Sequence, residues 1–150
     1  MYVPDEWRAL ADSDQVREAV NTLIVMHYPT ANCPLDEQGT HPPVEEIEAT
    51  TIRFFDDFSH HDGNNRSVKH FASLYSRMVE ISQENNVPLV LLETNTASCN
   101  GFLGLSDSFL ATLWTLDLGM QLASTGFEHM MVHLGGQRSY YNVSTSYRLM

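Results

Sequence analysis

Long apolar runs, cysteines and basic residues are all scarce in this chain of 150 residues. No run of about 18 apolar residues occurs, so we expect no transmembrane helix. The first residues, MYVPDEWRAL, have neither a basic region nor an apolar core, so we expect no signal peptide. Two cysteines, Cys33 and Cys99, are too few for a disulfide-rich scaffold and lack the spacing of a metal site.

The charge balance is strongly acidic. Eight Lys and Arg stand against 19 Asp and Glu, which gives a net charge of −11. Nucleic acids and anionic membranes bind basic surfaces, so neither is predicted as a partner. A hydrophobic fraction of 43% excludes a disordered chain, and the length suits one domain with a buried core.

The fold prediction rests on residues 87–104, VPLVLLETNTASCNGFLG. Residues 89–92 are continuously apolar, which is typical of a parallel strand buried on both faces. Helical periodicity precedes this run at residues 66–84 and follows it at residues 107–125. This order is the repeat of an α/β protein, whose chemistry lies just beyond the carboxyl ends of the strands. Glu93 ends the run and is therefore the candidate catalytic carboxylate.

Two further strands are predicted, at residues 22–29 and 129–136. The first ends in His27 and Tyr28, which we expect at the same edge of the sheet as Glu93. A hydrogen-bonded core histidine is an equally good interpretation of His27.

The other segments give less specific signals. A helix is predicted over residues 4–20, capped by Asp5, and Ser106 and Gly126 are predicted to cap the helix of residues 107–125. Residues 30–65 are predicted to be a long irregular segment with one or two short helical turns within residues 44–58.

Three histidines of this irregular segment, with acidic neighbours, raise the question of a metal site: His41, His60 and His61. Their spacing matches no standard ligand set, so a solvated loop is favoured. We predict no metal and no cofactor. Asp117 lies within an apolar helical pattern and is predicted to be a paired or capping acid, with an exposed position as the alternative.

Polar and aromatic side chains gather at the predicted strand ends. A retaining glycosidase needs two carboxyl groups about 5–5.5 Å apart, and aromatic and amide side chains that bind the sugar. From the pattern alone, Glu93 is a nucleophile, a general acid or base, a metal ligand or a structural ion-pair partner. The candidate substrate-binding residues are His27, Tyr28, Asn95, Gln137, Tyr140 and Tyr141.

Three segments resemble the second half of glycoside hydrolase family 79, which contains fungal and bacterial β-glucuronidases and heparanases. They are HYPTANC (27–33), LLETNTASCNGFLGLSDSFLATLWTLDLGMQLA (91–123) and HMMVHLGGQRSYYN (129–142). The resemblance implies strands six to eight of a (β/α)8 TIM barrel, so that residues 1–150 form its C-terminal half with no second domain. It also implies that Glu93 is the nucleophile, that a β-glucuronide or glucuronic-acid-containing glycan is the ligand, and that the protein is secreted.

The chain departs from this family's pattern, because we expect the acid/base glutamate, the N-terminal half of the barrel and the family's usual C-terminal β-sandwich to be missing. The family's acid/base glutamate follows an asparagine at the end of the fourth strand, and no Asn-Glu pair occurs here. General acid catalysis is worth ~10²–10⁴ in rate, so we expect the chain alone to be inactive. The alternatives are a non-catalytic carbohydrate- or partner-binding remnant and a small α/β interaction domain with a structural Glu93. The missing barrel half, or self-association, would cover the open edge.

Cys33 and Cys99 fall in loops at the carboxyl ends of neighbouring predicted strands. We hypothesise that a disulfide joins these loops, and the alternative is two unrelated thiols. Such a bond requires an oxidising compartment.

Overall fold

The structure is a computed structural model that describes residues 13–33, 44–63, 65–135 and 140. Helices and strands alternate along these ranges, as an α/β protein requires. None of the described helices is both long and apolar enough to cross a membrane. The elements are α1 (Asp14–Ala19), β1 (Leu23–Met26), α2 (Val44–Phe58), α3 (Val68–Ser73), α4 (Ser76–Asn85), β2 (Leu89–Thr94), α5 (Phe109–Thr125) and β3 (His129–Val132).

The three strands form a parallel sheet in the order β1-β2-β3. The α/β prediction with parallel strands is therefore confirmed. Three strands are compatible with part of a barrel, but they do not close one. The register of β1 on β2 shifts between Val25 and Met26, so that Met26 pairs with Glu93. Such bulges redirect side chains, and this one lies beside the predicted catalytic carboxylate.

The core lies between one face of the sheet and the helices. Leu89 and Leu91 of β2 point into it and are fully buried. Trp114 and Leu118 of α5 belong to the same buried cluster. Burying each such side chain contributes about 1.5–3 kcal/mol, which makes β2 the best-anchored strand of the sheet.

The opposite face of the sheet is buried only in part. Val90 of β2 is 5% exposed, as the prediction of burial on both faces requires, but other side chains of this face are not buried. Ile24, Met26, Leu92 and Met131 are 38–64% exposed. Strand side chains alternate between the two faces, so alternate residues are buried only where a second layer covers them. The described part of the chain provides a helix layer on one face alone.

The predicted helix at residues 66–84 is two helices, α3 and α4. The N–H groups of Leu74 and Tyr75 bond to carbonyls three residues earlier, which tightens and ends the first helix. Tyr75 thereby turns its ring toward Phe127, at 5.7 Å between centroids. The periodicity of residues 66–84 correctly predicts helical structure, but the packing of Tyr75 divides this segment into two helices.

The prediction of one or two short helical turns within residues 44–58 is wrong in length, because these residues form one 15-residue helix, α2. Phe54 and Phe58, one helical turn apart, are buried. The Phe58 ring lies 5.3 Å from the ring of Trp114, and the Phe54 ring lies 5.5 Å from that of Phe102. Packing of this aromatic pair against α5 and its preceding loop stabilises the helix.

Two of the three predicted caps lie in described residues. The helix α5 begins after Ser108, whose hydroxyl accepts the Ala111 N–H, so the prediction of Ser106 as its cap is wrong. Ser106 is instead buried in the preceding loop, where its hydroxyl accepts the Phe102 N–H at 2.9 Å. Gly126 ends α5 with φ 118°, which confirms its predicted role. Asp5 lies outside the described residues, and α1 is capped by Ser13.

Candidate active site

Three side chains meet at the carboxyl ends of the three strands. Tyr28 follows β1, Glu93 is in β2 and His133 follows β3. The Tyr28 hydroxyl donates to Glu93 Oε1 at 2.6 Å. His133 Nδ1 lies 2.7 Å from the same hydroxyl and 3.2 Å from the same carboxylate oxygen.

The two oxygens of Glu93 have different surroundings. Both hydrogen bonds to this carboxylate reach Oε1, and none from the described residues reaches Oε2. The Glu93 side chain is 41% exposed, so an external molecule can approach it. A partly exposed carboxylate held through one oxygen is arranged for attack on an electrophile or for proton transfer.

The pKa of Glu93 is lowered below its ordinary value. The hydrogen bond from the Tyr28 hydroxyl is the main cause, because it stabilises the ionised form. His133 acts in the same direction, while partial desolvation opposes both. Glu93 is therefore ionised at neutral pH, as a nucleophile or general base must be.

Hydrogen bonds also connect the carboxyl ends of the three strands next to Tyr28, Glu93 and His133. Thr94 Oγ1 donates to the His27 carbonyl at 2.7 Å, and Asn95 Nδ2 donates to the His133 carbonyl at 2.9 Å. Asn95 Oδ1 accepts the Thr96 N–H at 2.7 Å, and Asn95 is buried. Asn95 was predicted to bind substrate, but both ends of its amide are engaged inside the protein, which does not support that contact.

The His27 ring lies in the helix layer. It stacks on Phe71 with 4.5 Å between centroids and shares a hydrogen bond with the Tyr75 hydroxyl. Burial lowers the pKa of His27 and raises that of Tyr75 to about 12, so both side chains are neutral at neutral pH. This geometry corresponds to the core-histidine interpretation and does not support the predicted contact of His27 with substrate.

The loops after β1 and β2 are joined beside the site. Ala31 and Ser98 form an isolated parallel bridge, and Asn32 Nδ2 donates to the Gly101 carbonyl at 2.7 Å. The structure has a disulfide between Cys33 and Cys99, with the Cα atoms 5.0 Å apart. These contacts fix the path of both loops at the edge of the site.

The predicted tyrosine pair lies only partly in described residues. The Tyr140 N–H donates to the Asn100 carbonyl at 2.8 Å, and Tyr140 is 38% exposed. This bond anchors the Tyr140 backbone to the loop that follows β2. Gln137 and Tyr141, also predicted to bind substrate, lie outside the described residues.

His133 was not among the predicted site residues. A signal for it was available, because it is the first residue after the apolar run of β3, whereas Tyr28 is the second residue after that of β1. Parallel strands end at the same edge of a sheet, so a titratable side chain there belongs with the other strand-end groups.

The histidines of residues 59–63 are engaged with the protein itself. His61 Nδ1 lies 2.9 Å from the Asp117 carboxylate, so Asp117 is paired, which was one of the predicted alternatives. His60 Nδ1 lies 2.8 Å from the Asp56 carbonyl oxygen. Within the described ranges, no three His, Cys, Asp or Glu side chains are grouped so that they could hold a metal ion. His41 lies outside those ranges.

Comparison with known proteins shows similarity in sequence to one fungal protein and in structure to several solved chains, among them a second fungal protein. No protein-family model matches the chain. Over 74 residues, 46% of this chain and 13% of the relative, it is 35% identical to a beta-glucuronidase of Neurospora crassa. The fold is similar to that of a 4-O-α-L-rhamnosyl-β-D-glucuronidase from Fusarium oxysporum 12S, solved as a Rha-GlcA complex.

That structural match has a TM-score of 0.57 at 21% identity, and it covers 91% of this chain. The chain spans 25% of the length of that protein. The chain is therefore similar in fold to about a quarter of the Fusarium glucuronidase. It is distantly related in sequence to the Neurospora beta-glucuronidase.

Proposed function

We propose that this chain carries the nucleophile of a retaining β-glucuronidase-type glycoside hydrolase, with Glu93 as that nucleophile. The observation that supports the proposal most is the arrangement of Glu93, ionised, with Oε1 held by Tyr28 and Oε2 without a described partner. The relatedness to a beta-glucuronidase supports the substrate class. In this proposal β1, β2 and β3 are strands six to eight of a family 79 barrel.

The reaction proposed at Glu93 forms one bond and breaks another at the anomeric carbon. Glu93 Oε2 attacks C1 of a β-glucuronide, and the bond between C1 and the leaving oxygen breaks with its electron pair on that oxygen. The product is a glucuronosyl ester of Glu93, which water hydrolyses in the second half of the reaction. The leaving oxygen must take up a proton or be stable as an anion.

The proton donor is the part that this chain does not supply. Its sequence contains no Asn-Glu pair, the family's signature of the acid/base glutamate. We therefore propose that glucuronides with poor leaving groups are not cleaved by the chain alone, because protonation of such groups is worth about 10²–10⁴ in rate. Tyr140, with Gln137 and Tyr141, is proposed to contact the uronate or its neighbouring hydroxyl groups.

The disulfide between Cys33 and Cys99 supports a location outside the reducing cytosol. We propose that the protein is secreted, as its glucuronidase relatedness also suggests. The exposed apolar face of the sheet supports the proposal that further barrel strands cover this face.

A 2-deoxy-2-fluoro-β-glucuronosyl fluoride tests the nucleophile without requiring a proton donor. Fluoride leaves unaided, and the 2-fluoro group slows hydrolysis of the resulting ester. The expected result is a mass increase of one 2-fluoroglucuronosyl group on the wild-type chain and none on Glu93→Gln. Glu128→Gln is the matched control, because Glu128 is exposed and its N–H bonds to Leu89, at the amino end of β2.

The competing function is a non-catalytic carbohydrate-binding remnant, favoured by the lack of an Asn-Glu pair. It predicts that glucuronate perturbs the amide spectrum of the Tyr28–Glu93 region while the fluoride leaves the mass unchanged. That combination would overturn the hydrolase proposal.

A further inference from the structure

His133 occupies a fixed position on the backbone. Its N–H donates to the Thr94 carbonyl at 2.8 Å, and its own carbonyl accepts the Asn95 amide at 2.9 Å. Asn95 is buried and is itself held through Thr96. The imidazole therefore extends toward Glu93 from a point that two strands hold in place.

The hydrogen bonds among Tyr28, Glu93 and His133 determine which of their atoms carry a proton. The Tyr28 hydroxyl has one proton, which it donates to Glu93 Oε1. His133 Nδ1, 2.7 Å from the Tyr28 oxygen, must then be the donor in that contact. Its contact with Glu93 Oε1, at 3.2 Å, leads to the same result, because an ionised carboxylate only accepts.

We propose that His133 is a positioning residue for Glu93, acting through an Nδ1–H group that faces both Tyr28 and Glu93 Oε1. The inference rests on the function proposed above for Glu93. A protonated Nδ1 cannot accept the Tyr28 proton, so the Tyr28 hydroxyl donates to Glu93 and not to His133. Two donors on Oε1 then fix the carboxylate plane and leave Oε2 as the attacking atom.

Loss of the Nδ1–H group has two expected consequences. The ionised form of Glu93 loses one donor, so its pKa rises toward the ordinary value. The carboxylate also gains rotational freedom, so that fewer of its conformations present Oε2 to the anomeric carbon. Among the described residues, the titratable groups that face Glu93 are Tyr28 and His133, so the titration of Glu93 reports on these contacts.

The test compares His133→Leu, which removes the donor, with His133→Asn, whose Nδ2–H₂ group replaces Nδ1–H at the same distance from the backbone. The Glu93 side-chain carboxyl is titrated by carbon NMR, and the rate of labelling by 2-deoxy-2-fluoro-β-glucuronosyl fluoride is measured on the same samples. We expect His133→Leu to raise the Glu93 midpoint and slow labelling about tenfold, the effect of one charge-assisted hydrogen bond. His133→Asn is expected to restore most of both.

Thermal unfolding of both variants separates positioning from a structural role. Two results would overturn the proposal. One is a Glu93 titration midpoint and a labelling rate in His133→Leu that equal those of the wild type. The other is a change in midpoint and rate that is the same in His133→Leu and His133→Asn. If the wild-type chain is not labelled at all, the proposed function fails, and the titration alone decides on His133. A midpoint raised in His133→Leu and restored in His133→Asn then supports the positioning contact, and an unchanged midpoint overturns it.

Discussion

The Tyr28 hydroxyl donates to Glu93 Oε1 at 2.6 Å, although the two residues are 65 positions apart in the sequence. They meet because β1 and β2 are adjacent and parallel, and because a register shift pairs Met26 with Glu93. A parallel sheet thus brings a phenol from one strand end to a carboxylate on the next, and that contact lowers the pKa of Glu93.

The substitution Tyr28→Phe removes this hydroxyl and keeps the ring. We expect the pKa of Glu93 to rise toward its ordinary value of 4.5, because the largest cause of its depression is lost. A depressed carboxyl pKa stabilises the fold above about pH 4.5, and this contribution disappears as the pH falls through the folded-state pKa. Carbon NMR titration of Glu93 measures the change. Tyr140→Phe is the control, and an unchanged Glu93 midpoint in Tyr28→Phe would contradict the assignment.

His27 predicts a second pH dependence, near neutrality. Burial lowers the pKa of His27 below 6.5. Just below that pH, His27 therefore binds a proton in the unfolded chain but not in the folded chain. Stability is therefore full above pH 6.5 and falls as the pH drops through this value toward the folded-state pKa. Urea unfolding at pH 7.5 and pH 5.5 should show a smaller difference for His27→Gln than for wild type. His60→Gln, at an exposed site, serves as control, and a difference that is equal in all three proteins would refute the prediction.

Gly126 is expected to be intolerant of alanine for two separable reasons. Its φ of 118° strains any other residue, and a Cβ there would lie 2.9 Å from Val79 Cγ1. Gly63→Ala isolates the first reason, because Gly63 has φ 102° and nothing within 4 Å of a built Cβ. We expect Gly63→Ala to cost about 1 kcal/mol and Gly126→Ala about 2–4 kcal/mol in unfolding free energy. Equal costs would show that the Val79 contact relaxes freely.

The disulfide closes a loop with a sequence separation of 66. In the chain-entropy model such a bond contributes about 4 kcal/mol. The double variant Cys33→Ser/Cys99→Ser should lose most of this in urea unfolding, and reducing agent should destabilise wild type but not the double variant. A thiol assay on the folded, unreduced chain should find no reactive cysteine, and two reactive thiols would exclude the bond.

The three strands and the position of Glu93 near the carboxyl end of β2 were predictable because they depend on local patterns. The apolar run before Glu93, the glycine after α5 and the chain order of the strands each follow from a few neighbouring residues. The break at Tyr75 and the full length of α2 were not, because they arise from packing between distant rings. His27 shows the limit most clearly: its place at a strand end was predictable, whereas the side of the sheet its ring occupies depends on Phe71 and Tyr75.

The residue that carries the covalent label tests the central claim most directly. After reaction with 2-deoxy-2-fluoro-β-glucuronosyl fluoride, peptide mapping by mass spectrometry locates the ester. We predict that it lies on Glu93 and is absent from Glu93→Gln. A label on Tyr28, whose hydroxyl is the neighbouring nucleophile, or an unlabelled wild-type chain, would contradict the assignment of Glu93.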